Sequence, residues 1–254
     1  MVEIRVQSLG LDQVSKTPVV ILQEVDAAQA LEIGARLDEY PYRFVEAARV
    51  RHGAIVEIGS WKGRSTAWLA HGARERGLRV LAVDPHMNSR EDPNARTFET
   101  FRENLERAGL LEVVDPRVMT SAEAVRVVTA PVELLFVDGD HSVDGARRDA
   151  ELWLPRVMAG GTVLFHDVAS SGYAGPRRVF QRAICRSREY HRVRRVGSMG
   201  IAERTSRRSL RQALRSWMFD LLLYRYDIEG ALKRALRRLR ARTVNPPVAS
   251  SNRV

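Results

Sequence analysis

Cysteine is nearly absent from this sequence. Cys185 is the single cysteine among 254 residues, so no disulfide can form within the chain and a zinc site built from several thiolates is excluded. The sequence also lacks the roughly 18 to 20 consecutive apolar residues that cross a bilayer, and its N-terminus has no apolar run typical of a signal peptide. We therefore expect a cytoplasmic protein in a reducing compartment.

Acidic residues are too few to balance the basic ones, but only near the C-terminus. The formal net charge of the chain is +10, and residues 204–254 alone contain 13 Lys and Arg against 3 Asp and Glu. The preceding part of the chain therefore has 28 residues of each sign and is neutral. This asymmetry assigns any anionic partner to the last fifth of the chain.

From Ala54 onward, short apolar runs alternate with helical patterns. AIVEIG, RVLAVD and VELLFVD are apolar almost throughout and are separated by segments with helical spacing, which is typical of a parallel sheet covered on both faces. YHRVRRVG and SMGIAER lie so close together that only a hairpin can join them. The sequence predicts an α/β, Rossmann-like, doubly wound seven-stranded sheet, parallel except for a terminal antiparallel hairpin strand.

The segments on either side of this domain differ in composition. Residues 1–53 form an N-terminal segment on the acceptor side, with a helical pattern that we expect to break near Pro41. Residues 54–204 form the α/β domain.

The C-terminal part is rich in arginine. Residues 205–242 carry two successive apolar stripes at helical spacing, which predicts two basic amphipathic helices that form a separate unit. Two prolines follow, at 246 and 247, and residues 243–254 are expected to be disordered.

Acidic residues gather where successive strands are predicted to end. In an open parallel sheet, ligands bind beyond these carboxyl ends. Glu57 precedes Gly59 and Gly63, which allow a tight turn and a close approach of the backbone to a ligand. An acid in this position argues against a phosphate cradle and favours a ligand with a cationic group. Asp84 ends the second strand, where an acid commonly accepts hydrogen bonds from both hydroxyls of a ribose.

Five segments resemble the class I S-adenosylmethionine-dependent methyltransferases. They lie between about Ala54 and Arg204 and read VEIGSWKGRST, AVDP, TSAEA, FVDGDHSVDGARRDAELW and GGTVLFHD. Within that superfamily they are most similar to the metal-dependent O-methyltransferases that include macrocin-type sugar methyltransferases and cephalosporin hydroxylase-like proteins. The resemblance implies methyl transfer from S-adenosyl-L-methionine to a hydroxyl of a small molecule or sugar, assisted by Mg²⁺ or Mn²⁺.

The resemblance also implies a role for each matching residue. The residues beside the methionine end of the cofactor would be Glu57, Gly59, Ser60, Trp61, Gly63, Ser65 and Asp138. Those around its adenosine would be Asp84 at the ribose and Ser121, Ala122 and Glu123 at the adenine. The metal ligands would be Asp138, His166 and Asp167. Asp140 is the predicted general base, and His141 is the alternative.

Other functions remain open at the level of sequence. The arginine-rich tail favours an RNA or DNA methyltransferase as an alternative, although VDGDHS differs from the Asn/Asp-Pro-Pro-aromatic pattern of base amino-group methylation. A non-catalytic cofactor-binding protein is a further alternative. Trp217 and its leucine neighbours beside many arginines are typical of a helix that binds a membrane surface, so we expect peripheral contact with the anionic inner membrane face, or a contact within a homo-oligomer.

Overall fold

The computed structural model describes residues 39–87, 96–207 and 209–244. The predictions for residues 1–38 and 245–254 lie outside this part of the chain. Within it, seven strands form one sheet in the order β3-β2-β1-β4-β5-β7-β6. The strands are β1 Ala54–Ile58, β2 Val80–Val83, β3 Val114–Arg117, β4 Val132–Val137, β5 Val157–Phe165, β6 Tyr190–Val196 and β7 Met199–Arg204.

Helices follow most of the strands. They are α1 Glu39–Arg49, α2 Arg64–Arg74, α3 Thr97–Arg107, α4 Ser121–Val127, α5 Val143–Trp153, α6 Gly175–Phe180 and α7 Leu210–Val244. Helix α6 continues into one π-helical segment, Gln181–Cys185. Each of the predicted helix–strand alternations between Ala54 and Arg204 is therefore present.

The sheet confirms the predicted fold. Strands β1 to β5 pair in parallel, whereas β7 pairs antiparallel with both β5 and β6. Strand β4 is central, and its alternate residues are buried on both faces: Leu134 and Phe136 pack in one cluster, and Leu135 and Val137 in the other. Burial on both faces explains why this strand has a continuous apolar run.

Helix α1 contains Pro41 close to its start. The helix passes through Pro41 within its first turn, where a proline is tolerated because the missing backbone N–H would have no acceptor inside the helix. Residues 1–38 lie outside the described part of the chain, so the predicted break before this helix stays a prediction. Helix α1 packs against α2, and the guanidinium of its Arg43 lies over the ring of Phe136 in β4.

Helix α7 is one continuous helix of 35 residues, whereas the sequence predicted two helices in a separate unit. It packs against β6 and the π-helical segment, with Leu223 only 1% exposed. Among the described residues, no helix combines the length and the hydropathy needed to span a membrane. The helix therefore lies on the α/β domain. The apolar stripes in the sequence did not indicate which side of the helix would be buried.

Candidate active site

The loop after β1 requires glycine at two positions. Gly59 has a φ of 87°, and a Cβ there would collide with the carbonyl oxygen of Asp138 at the end of β4. Gly63 has a φ of 84° and immediately precedes α2. Only glycine adopts such angles without strain. The loop consequently lies directly against the end of β4, and the amides at the N-terminus of α2 follow it.

Glu57 is a buried acid with a free oxygen. Its Oε2 accepts a hydrogen bond of 2.5 Å from the hydroxyl of Thr66, while its Oε1 has no hydrogen-bond partner among the described residues. Burial raises the pKa of Glu57 to about 8, and nearby Asp138 acts in the same direction. A cationic ligand at this position would favour the carboxylate form.

The residue after Gly59 provides a second unmatched group. Ser60 is 4% exposed, and its Oγ also lacks a hydrogen-bond partner in the described part of the chain. A buried polar atom without a partner costs free energy unless a ligand or water satisfies it. Ser60 and Glu57 could therefore hold the polar methionine end of S-adenosylmethionine.

Asp84 joins the first two loops. Its Oδ2 accepts a hydrogen bond of 2.8 Å from the backbone N–H of Trp61, and its Oδ1 accepts one of 2.7 Å from that of His86. A carboxylate has about four acceptor positions, so both oxygens retain capacity for the two hydroxyls of a ribose. Trp61 is 55% exposed and Ser65 is half-buried in the first turn of α2.

The residues predicted to flank adenine are engaged in local structure. Thr120 caps α4 by accepting a hydrogen bond from the backbone N–H of Glu123, while the Glu123 carboxylate accepts one from the N–H of Thr120. The hydroxyl of Ser121 donates to Asp149. This leaves Ala122, which is half-buried, and the backbone of the turn as the groups available to an adenine edge.

Two acids and two histidines meet at the ends of β4 and β5. Nδ1 of His166 lies 2.9 Å from Oδ1 of Asp138, and Nε2 of His141 lies 3.4 Å from the same oxygen. Oδ2 of Asp167 lies 3.2 Å from Nε2 of His141 and 3.5 Å from Nδ1 of His166. We call these four residues the acid–histidine cluster.

The cluster shifts the pKa of each member. Burial acts to lower the pKa of His166, but the surrounding carboxylates, Asp138 first among them, raise it to about 11. Burial also acts to lower the pKa of His141, and its bonds to Asp138 and Asp167 raise it to about 9. For the two aspartates, burial acts to raise the pKa, yet the adjacent imidazoles lower it. The cluster thus holds opposite charges in direct contact.

The donor set of the cluster fits a divalent cation. Asp138, His141 and His166 each offer one ligand atom, and these atoms lie within 4.8 Å of one another. Asp167, a predicted ligand, borders the same space. Two imidazoles beside carboxylates favour Mn²⁺ or Fe²⁺ over Mg²⁺, which prefers oxygen ligands alone.

Asp140 and His141 lie in different surroundings although they are adjacent in the chain. Both oxygens of Asp140 accept hydrogen bonds from Ser142, at 2.8 Å from its N–H and 2.9 Å from its Oγ, so this carboxylate supports the start of α5. The ring of His141 instead reaches the cluster and stacks on Tyr173, with centroids 4.4 Å apart. His141, and not Asp140, therefore belongs to the acid–histidine cluster.

Backbone strain marks the same edge of the sheet. A positive φ is uncommon for residues other than glycine and is frequent at functional sites. Trp61, His86 and Asp167 have φ values of 43°, 49° and 54°. They follow β1, β2 and β5, so three of the strand ends predicted to bind ligands carry a strained residue.

Three contacts of the site were not predicted from the sequence. Glu39 on α1 faces His166, Thr66 donates to Glu57, and Tyr173 stacks on His141. No sequence pattern links Glu39 or Tyr173 to the strand ends. The Thr120–Glu123 cap, in contrast, has a recognisable signature, since a threonine followed three residues later by glutamate predicts a helix start.

Comparison with known sequences agrees with this geometry. Residues 56–168 match a family described as a methyltransferase domain. The chain is also 28% identical over 149 residues to a catechol O-methyltransferase of Mycobacterium tuberculosis (strain ATCC 25618 / H37Rv). That alignment covers 55% of this chain and 64% of the relative, so it includes less than two thirds of the relative's length.

Solved structures share the fold. An O-methyltransferase from Bacillus cereus in complex with SAH is 21% identical and has a TM-score of 0.53, covering 73% of this chain and 93% of that one. TomG, an O-methyltransferase from Streptomyces achromogenes involved in tomaymycin synthesis and solved in complex with SAM, is 19% identical with a TM-score of 0.52, covering 73% and 92%.

Proposed function

Because the chain carries a class I S-adenosylmethionine-dependent methyltransferase domain, we propose that it is an O-methyltransferase acting on a hydroxyl of a small-molecule or sugar acceptor. One observation carries the proposal. The loop that fits the cofactor lies directly against the residue that anchors the acid–histidine cluster, because Gly59 contacts the backbone of Asp138. A donor and a deprotonated hydroxyl can therefore meet at one sheet edge.

The cofactor residues would orient the donated methyl group. Glu57 and Ser60 would satisfy the polar methionine end, and Asp84 would hold the ribose, so that the sulfonium methyl faces the acid–histidine cluster. Fixing donor and acceptor in line can contribute about 7 to 11 kcal/mol to catalysis. The methyl group is already activated, so the remaining task is to remove a proton from the acceptor hydroxyl.

His141 would remove that proton. Its Nε2 would accept the hydroxyl proton as the oxygen attacks the methyl carbon, the carbon–sulfur bond breaks, and S-adenosylhomocysteine leaves. Asp138 and Asp167, at 3.4 and 3.2 Å from this nitrogen, stabilise the resulting imidazolium. They also make the neutral ring a stronger base, since they raise its pKa to about 9.

Metal assistance is a separate part of the proposal. Asp138, His166 and Asp167 would hold a divalent cation, and its chemistry when bound would be to lower the pKa of acceptor hydroxyls and fix two adjacent oxygens. A vicinal diol is accordingly the acceptor class that we propose. The mixed nitrogen and oxygen donors favour Mn²⁺ or Fe²⁺ over Mg²⁺.

Two measurements test the function. Calorimetry with S-adenosylhomocysteine should detect binding, and transfer of labelled methyl from S-adenosylmethionine should be found in a panel of catechols, sugars and glycosides. EDTA should reduce transfer to diols, and Mn²⁺ should restore it better than Mg²⁺. Binding without transfer to any hydroxyl would support a non-catalytic cofactor-binding protein, transfer to RNA alone would support the nucleic-acid alternative, and absence of binding would overturn the proposal.

A further inference from the structure

Helix α7 has an apolar face that points away from the domain. Ser216, Asp220, Leu223 and Gly230 lie on its buried side. The other side carries nine large apolar side chains, each at least 47% exposed: Leu210, Leu214, Trp217, Met218, Leu221, Leu222, Ile228, Leu232 and Leu236. We call this set the outer face of α7.

The outer face concentrates the exposed apolar surface of the described residues. Of the 18 large hydrophobic side chains that are exposed there, nine belong to this face. They recur every three or four residues from Leu210 to Leu236, a length of about 40 Å along the axis. Scattered exposed leucines need no explanation, but a continuous apolar stripe of this size indicates an interaction surface.

Two of the three acids of α7 contact the domain. Asp220 accepts a hydrogen bond of 2.9 Å from Nε of Arg186, and Asp227 accepts one of 2.5 Å from Arg177. Both partners belong to the domain, so these acids are used to hold the helix in place. The third acid of the helix, Glu229, pairs with Lys233 at 2.7 Å.

Several arginines of α7 lie on the exposed surface. Arg211, Arg215 and Arg225 are all exposed beside or within the outer face. Two copies of this face would bring like charges together, which opposes self-association. An anionic surface, in contrast, complements both the apolar stripe and its positive border.

We propose that the outer face of α7 binds the surface of an anionic membrane. The helix would lie in the membrane plane, with Trp217 and the leucines at the boundary between headgroups and acyl chains and the arginines among the phosphates. Interfacial helices of this kind combine apolar burial with electrostatic attraction, and both elements are present here.

The docked helix would be linked to the candidate active site. Arg177, which pairs with Asp227 of α7, also donates to the carbonyl oxygens of Ser170 and Tyr173. Lys233 of α7 donates a hydrogen bond of 2.8 Å to the hydroxyl of Ser171. The loop that carries Tyr173 is thus fastened to α7 and would follow it to the membrane.

Vesicle flotation of the full chain tests this inference without cofactor or acceptor, so its result is independent of the proposed function. The protein should float with phosphatidylcholine vesicles that contain phosphatidylglycerol and remain unbound with phosphatidylcholine alone. Arg211→Gln, Arg215→Gln and Arg225→Gln should each weaken binding about fivefold. Trp217→Ala combined with Leu221→Ser should weaken it at least about tenfold.

Val127 on α4 is an apolar residue away from α7 whose side chain is 58% exposed. The matched control is Val127→Ser, and this variant should bind vesicles like the parent chain. Equal flotation with neutral and anionic vesicles, or binding that the α7 variants leave unchanged, would overturn the proposal. So would a dimer in light scattering that the Trp217→Ala, Leu221→Ser variant dissociates, because the occupant would then be a second copy. Binding of RNA by the full chain, without binding to vesicles, would also overturn it, because the outer face would then be a nucleic-acid surface.

Discussion

Nε2 of His166 lies 3.2 Å from Oε2 of Glu39, although 127 residues separate the two in the chain. Both side chains are buried, and Arg43 approaches the same glutamate oxygen at 3.6 Å. The other oxygen of Glu39 accepts a hydrogen bond of 2.5 Å from the backbone N–H of Ser198. Glu39 therefore connects α1 to the β6–β7 turn and orients His166 so that its Nδ1 faces Asp138.

Glu39→Gln should lower both the stability of the protein and the pKa of His166. The folded pKa of His166 is raised to about 11, so its contribution to stability is fully present below its unfolded pKa, about 6.5, and is lost as the pH rises towards 11. Removing the glutamate charge should cost about 1 to 3 kcal/mol of unfolding free energy at neutral pH. Denaturant unfolding and NMR titration of the imidazole measure the two effects.

The control for this variant is Glu99→Gln, which removes an exposed partner of Arg96 at 3.4 Å. An exposed pair contributes about 0 to 1 kcal/mol, so this change should alter the unfolding free energy little. Equal losses in the two variants, or an unchanged imidazole pKa in Glu39→Gln, would contradict the positioning role.

Cofactor binding should depend on pH through Glu57. Its pKa is raised to about 8 by burial, so the side chain is mostly neutral below that pH, and a cationic ligand must drive off a proton. The affinity for S-adenosylmethionine should therefore rise between about pH 6 and pH 8 and level off above. Calorimetry in buffers of different ionisation enthalpy should detect proton release.

Glu57→Gln supplies the comparison for this pH effect. An amide keeps the size of the side chain and cannot titrate, so the variant should bind more weakly and with a flatter pH profile. The raised pKa also means that the parent loses stability as the pH rises from about 4.5 to about 8, because the unfolded chain releases the Glu57 proton more readily than the folded one. The variant has no such proton, so without ligand it should gain stability relative to the parent at high pH. A pH profile identical to that of the parent would exclude Glu57 as the titrating group.

Asp84→Asn should weaken S-adenosylhomocysteine binding about tenfold, which corresponds to the loss of one charge-assisted hydrogen bond of about 1.4 kcal/mol. The amide oxygen can still accept one backbone N–H, but the second N–H and the ribose hydroxyls then compete for fewer acceptors. Calorimetry measures the change. Asp115→Asn, which removes a half-buried aspartate paired with Arg117, should leave the affinity unchanged.

The strand-end acids could be predicted from the sequence because apolar runs define where each strand stops. Glu57, Asp84, Asp138 and Asp167 all lie at the carboxyl edge of the sheet, as the runs before them indicated. Parallel strands place their ends together whatever the intervening helices contain. This part of the site follows from local pattern and topology alone.

The directions of individual side chains could not be predicted in the same way. Asp140 lies two residues after Asp138 but turns towards α5, since Ser142 offers it two donors. Likewise, Leu221 and Leu222 of α7 resemble core residues in sequence, yet the domain packs against Leu223. When neighbouring residues have the same chemical character, tertiary contacts decide which of them faces the site or the core. Local spacing in the sequence does not specify those contacts.

Divalent cation binding should strengthen as the pH rises. The pKa of His166 is raised to about 11, and its ring must lose a proton from Nδ1 before that nitrogen can bind a metal. Calorimetric titration with Mn²⁺ should therefore release protons at neutral pH. Asp138→Asn should abolish binding, whereas Asp140→Asn, outside the acid–histidine cluster, should retain it; loss of binding in both would indicate a site elsewhere.

His141→Gln should lower kcat about 10² to 10⁴-fold, the usual contribution of a positioned general base, whereas Asp140→Asn should keep most of the activity. The asparagine can still accept the N–H of Ser142, so the start of α5 is preserved. Since the pKa of His141 is raised to about 9, only a small fraction of the ring is neutral at pH 7, and kcat of the parent should rise with pH until about 9. Initial rates across this range should show that rise in the parent and in Asp140→Asn, but not in His141→Gln. If Asp140→Asn instead lost the activity while His141→Gln kept both rate and pH profile, Asp140 would be the base, and its hydrogen bonds to Ser142 would have to open when the acceptor binds.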